Sequence, residues 1–226
     1  MKIVKAAVLA LALVPAALIT TTAHDANACG MSVRLDPTPQ KPSPVQEIAR
    51  AEKSLEAGQN LAAAKAVLGT FPRIRVATAG GNPLETRALR VFALAVVRSD
   101  GDITEKKAGV ASQAEWTKTA NLEWAAQSLR EIDQKRPNDP TVQADLGEAL
   151  SKLPRSQGEA LVVLQRLADK DLMGSPHAYA ALAKLRSARG DSAGAEAATK
   201  RCEEMSRSPS VCKPANPAVV VGAAKA

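Results

Sequence analysis

The chain has 226 residues, a formal net charge of +7, three cysteines and five aromatic side chains. So few rings leave no stacking platform interleaved with the basic residues, which excludes nucleic acid as an expected partner. Moderate basicity favours an anionic partner or surface.

In chain order, Lys2 and Lys5 precede an apolar run from Ala6 to Ile19, and a polar stretch then reaches Ala26-Asn27-Ala28. A basic start, a short apolar core and an A-x-A site predict a secretory signal peptide over residues 1–28, with Ala23 as a second cleavage point. The run is short for a membrane span and contains Pro15, which argues against permanent anchoring. Ala28-Cys29-Gly30 also resembles a lipoprotein processing site, and lipidation of Cys29 would be the one route to a membrane. Nine residues separate Cys29 from the apolar run, and simple export to the periplasm or cell envelope is the expected localisation. Without residues 1–28 the charge falls to about +6, since Lys2, Lys5 and Asp25 leave together.

Residues 29–44 hold Pro37, Pro39, Pro42 and Pro44 and read as an extended linker. Residues 45–207 are rich in Ala and Leu with helical periodicity, and no strand alternation is evident. An all-α domain is predicted there. Residues 208–226, with Pro209, Pro214 and Pro217, read as a disordered tail. In an oxidising compartment Cys202 and Cys212 are the natural disulfide pair, which leaves Cys29 odd.

The domain repeats itself. Ala125, Ala160 and Ala195 are spaced 35 residues apart, with Leu129, Leu164 and Thr199 four positions on and Ile132, Leu167 and Cys202 seven on. Each set falls on one helix face. Leu146-Gly147 and Leu182-Ala183 recur upstream, each a few residues after a proline, Pro140 or Pro176. A period near 35 marks an array of helix pairs.

On these residues the chain resembles the tetratricopeptide repeat (TPR) family. The clearest copy is 176–207, with Tyr179, Leu182-Ala183, Gly190-Asp191 and Ala195 at the family's positions. The copy at 140–174 has an extra residue and Pro154 in its turn. Before it, Leu122 to Ile132 matches a second helix, with Pro83 to Arg98 as its first and an insertion through about residue 112. The first copy spans about 45–72. The resemblance implies a right-handed helical-hairpin solenoid of about four TPR-like repeats. It further implies a protein-protein interaction scaffold that holds a partner segment in its concave groove.

Arg189-Gly190-Asp191 resembles the adhesive tripeptide of matrix ligands, but its place in the repeat predicts a helix stop and start, with Gly190 as the left-handed cap. Chemistry is thinly represented. His177 is the one histidine outside residues 1–28. H-E-x-x-H is absent, the helical pattern lacks the strand-to-helix scaffold of a nucleophile elbow, and no G-K-[ST] follows Gly80-Gly81. The reading assigns no catalytic, metal-binding or cofactor-binding residue.

Arg87, Arg90, Leu94 and Arg98 fall on one side of the helix from Pro83, opposite Leu89, Phe92, Ala93 and Val96. By the resemblance, first helices line the groove. Arg87, Arg90 and Arg98, with Lys152 and Lys184 further along, would then form a surface for an acidic or C-terminal carboxylate peptide. An ordinary solvated face is the alternative. Ser112-x-x-Glu115 reads as a capping box. It predicts a helix from there to about Arg136, whose extra turns would carry Trp116 either under the 99–112 loop or outward as an interface anchor.

Overall fold

Proline opens every odd-numbered helix. In a computed structural model that describes residues 42–109 and 116–213, Pro44, Pro83, Pro140, Pro176 and Pro209 each stand in the first turn of a helix. A first-turn amide has no intrahelical acceptor, so the missing N–H costs nothing there, and the ring already holds the helical φ. Side chains of Ser43, Asn82, Asp139 and Ser175 cap the first four of these helices by accepting from backbone amides one turn on. Pro44 is thus the first residue of a helix and not the end of a linker.

The helices are α1 (Pro44–Glu56), α2 (Asn60–Thr70), α3 (Pro83–Arg98), α4 (Lys118–Lys135), α5 (Pro140–Ser151), α6 (Gln157–Asp169), α7 (Pro176–Ala188), α8 (Ser192–Met205) and α9 (Pro209–Cys212). No strand occurs among the described residues. Helices pack in adjacent pairs, α1 with α2, α3 with α4, α5 with α6 and α7 with α8. The odd helices also touch in succession, α1 to α3 to α5 to α7. Residues 1–41, which include Cys29 and the expected signal peptide, lie outside the described residues, as do 110–115 and 214–226.

The small residues sit where the pairs cross. Ala125 and Ala160 are fully buried, as are Leu129 and Leu164 one turn on. Ala195, the third member of the series, is only half-buried, since no further pair covers the last one among the described residues. Gly147 faces Leu164. A Cβ there would stand 2.6 Å from one Leu164 methyl carbon and 2.7 Å from its Cγ. We expect Gly147→Ala to force α5 and α6 apart and to cost about 1–3 kcal/mol, read as a lower denaturation midpoint with an unchanged m-value. An unchanged midpoint would show that Leu164 simply turns aside.

Gly190 settles the Arg-Gly-Asp question. Its φ is +79°, the left-handed region. The Asp191 amide bonds the Arg186 carbonyl and the Gly190 amide bonds that of Ser187, the paired closure of a Schellman motif. Asp191 then caps α8 by accepting from the Gly194 amide. The segment is a helix-to-helix turn.

Two expectations need correction. α4 does not start at Ser112; it starts at Lys118, capped by Thr117 Oγ1 accepting from the Ala120 amide at 3.1 Å. Thr117 is a competent cap closer to the apolar stripe, and Trp116 therefore precedes the helix. Residues 208–213 are not a loose tail. Cys202 and Cys212 form a disulfide, and α9 packs on α7 and α8 with Cys212 buried. A disulfide fits an oxidising, exported environment. Closing so short a loop contributes about 2–3 kcal/mol. We expect Cys202→Ser/Cys212→Ser to lose that amount and to admit trypsin at Arg207, with the rest of the array still cooperative.

Candidate functional site

Charged side chains line the seam between the odd helices. Glu52 of α1 accepts from Arg87 of α3 through both carboxylate oxygens, with Nε–Oε1 at 2.5 Å. Arg90 of α3 donates from Nε to Oδ2 of Asp145 on α5 at 2.5 Å. Arg98 reaches Glu148 of α5 in a two-point contact, 3.0 Å from Nε and 3.1 Å from Nη2. Lys152 Nζ bonds Asp100 at 2.7 Å. Lys184 is exposed on α7.

The structure therefore places Arg87, Arg90 and Arg98 on one side of α3, but gives each an acid from a neighbouring helix. Leu94, on the same side, is buried, since α1, α2, α4 and α5 surround α3. Arg98 retains only 10% side-chain exposure and is sealed, whereas Arg87 and Arg90 retain 41% and 33%. Glu52, Asp145 and Glu148 were missed in the sequence. Asp145 and Glu148 lie one turn apart on a helix buried on nearly every side. That spacing of two acids would normally read as a solvated stripe, and only the neighbouring arginines give it another meaning.

Burial dominates the electrostatics. It pushes the Asp145 carboxyl up to about 6, against the pull of Arg90 and with help from nearby Glu148. Glu148 is equally buried, yet Arg98 more than offsets this and holds its carboxyl below the usual glutamate range. Burial lowers the His177 imidazole, against the attraction of Glu148. Two adjacent acids are thus driven apart in acidity by one extra donor.

A concavity opens between α4 and the turn before α6. It has a volume of about 600 Å³, an apolar floor of Ala126, Leu150 and Leu153, and a rim that includes Glu123, Arg130 and Arg155. Arg130 is itself paired with Glu159, at 2.8 and 2.9 Å. The signal for this cleft was the extra residue and Pro154, which here form a short 3-10 turn, Pro154–Ser156.

A third cluster gathers three of the five aromatic side chains around Arg75. Its guanidinium carbon lies 4.3, 4.6 and 5.1 Å from the ring centroids of Trp116, Trp124 and Phe92. Arg75 pairs with Glu105 and donates to Asn121 Oδ1 at 2.8 Å. Trp116, at the end of the segment between α3 and α4, thus packs inward against Arg75. No group of three or more metal-ligating side chains occurs among the described residues, and no helix among them is long and apolar enough to cross a membrane.

No family model matches the chain, and no curated protein or solved structure matches it.

Proposed function

We propose that this protein is an exported interaction module, a right-handed solenoid of four TPR-like helix pairs that holds a segment of a partner protein along its odd helices. The observation that carries this reading is the contact order. Each odd helix meets its own partner and the next odd helix, which supports a continuous face along α1, α3, α5 and α7. Such stacking is what single pairs need to bury their apolar sides. On that face Arg87 and Arg90 keep part of their guanidinium surface in water, and Lys152 and Lys184 extend the positive charge. The preferred segment is acidic, or ends in a carboxylate there.

Arg87→Glu/Arg90→Glu tests the face without touching the sealed Arg98, whose reversal would unfold the protein. Cross-linking to envelope extract identifies partners, and their purified segments are then titrated against both proteins. We expect the double variant to weaken binding by roughly tenfold or more, with a helical circular-dichroism spectrum retained. Equal affinity for every segment would remove the odd-helix face, and the cleft beside Pro154 would be the next surface to block.

A further inference from the structure

Arg90 is held by an acid that is almost entirely hidden, while Arg90 itself is not. Asp145 is 2% exposed. Its bond uses only the Nε of Arg90, and the two Nη groups have no hydrogen-bond partner among the described residues. Arg87, one turn away, is instead held through two donors by a partly exposed Glu52. Arg98 is locked by two donors and burial. Of the three arginines, Arg90 has the weakest hold on its acid together with an open side.

We propose that Asp145 is an internal stand-in for a partner's carboxylate, a gate that releases Arg90 when Asp145 takes up a proton from solvent. The proposal rests on the odd-helix face being the binding surface, and adds its regulation. Ionised Asp145 competes with an incoming carboxylate for Arg90. Neutral Asp145 cannot hold a guanidinium as an ion pair, and Arg90 can then turn its fork to the partner. The acidity of Asp145, raised to about 6 chiefly by burial, puts the change in a range that an exported protein meets. Other groups face Asp145. Arg90 and Arg98 approach from α3, and Glu148 lies beside it on α5. Lys152 and His177 of α7 act on Glu148, and Glu56 at the end of α1 acts on Arg98. Of these, His177 is an imidazole that burial lowers from its ordinary value, and its contribution has to be separated.

The test is fluorescence anisotropy of a rhodamine-labelled oligo-aspartate peptide with the disulfide-bonded chain between pH 7.5 and 5. For the wild type we expect binding to tighten on the order of tenfold as pH falls through 6, because the apparent affinity scales with the fraction of released Arg90. Asp145→Asn should bind at pH 7.5 as the wild type does in acid, with a flat profile. His177→Gln should keep the gain. A gain that persists in Asp145→Asn or disappears in His177→Gln overturns the gate. A flat wild type beside a binding Asp145→Asn also overturns it and leaves the face intact. If neither protein binds at any pH, the face fails and the gate with it. Should Asp145→Asn not fold, carbon NMR of the wild-type Asp145 carboxyl decides. Linkage requires bound peptide to raise its midpoint, and an unmoved midpoint would refute the proposal.

Discussion

Replacing Glu148 by alanine should lower unfolding free energy at neutral pH by about 3–5 kcal/mol, the usual cost of stranding one member of a buried ion pair. Arg98 would keep its charge, since a guanidinium does not deprotonate in a protein. It would lose both close acceptors in a site where its side chain is only 10% exposed. A double change, Arg98→Met/Glu148→Leu, removes the charges together and should recover most of the loss. Urea melts of the single and double variants check this. A Glu148→Ala loss under about 1 kcal/mol would mean that water reaches Arg98.

The pH dependence has opposite signs at the two neighbouring acids. Glu148 is depressed, so its stabilisation is full above the ordinary value of 4.5 and disappears as pH falls through the folded value. Asp145 is raised from 3.8 to about 6. Between those values the folded chain binds a proton that the unfolded chain does not, so this group stabilises the fold as pH falls through 6. Ionised Asp145 is therefore a net cost at neutral pH, consistent with a group kept for regulation.

Arg75→Ala is the second large effect, again about 3–5 kcal/mol. The variant would strand Glu105, whose side chain is 10% exposed. It would also empty the space between Phe92, Trp116 and Trp124. Losing the stacked cation removes a further contribution of about 1–2 kcal/mol, much of it already counted in that range. Arg75→Lys should rescue little, because an ammonium lacks the flat face that the rings meet. The readouts are thermal stability and the tryptophan emission maximum, which should move to longer wavelength. Limited trypsin digestion at Lys106 and Lys107 should accelerate. The insertion between α3 and α4 is otherwise held by Asn121, which donates to the Gly101 and Ile103 carbonyls at 2.9 and 3.1 Å. Unchanged emission with unchanged cleavage would show that Asn121 and the ion pairs of Asp100 and Asp102 hold the segment without Arg75.

Much of the helical frame was legible because its signals are local. Pro83 with Asn82 before it, Pro140 after Asp139, and Gly190 after an apolar stripe each act through backbone geometry within one turn. The 35-residue recurrence of Ala125 and Ala160 reported close crossings, since a small residue amid larger ones at helical spacing has few other uses. α4 was misplaced because two cap signals competed, Ser112 and Thr117. Ser112 lies outside the described residues, and the cap observed, Thr117, opens the helix that carries Asn121 to Arg75 and Trp124 to Phe92, a long-range matter.

The sequence by itself determined helix content, the starts of α3, α5 and α7, the turn at Arg189-Gly190-Asp191 and the Cys202–Cys212 pairing, all of which depend on neighbours within about ten residues. Only the tertiary structure decided which charges remain available. Arg98 and Arg90 stand on the same side of one helix, yet one is buried in a two-point pair and the other is held by a single bond with its far side in water. That difference comes from Glu148 and Asp145, 50 and 55 positions along the chain. Solvation of a charge depends on what packs over it, and no periodicity within α3 carries that information.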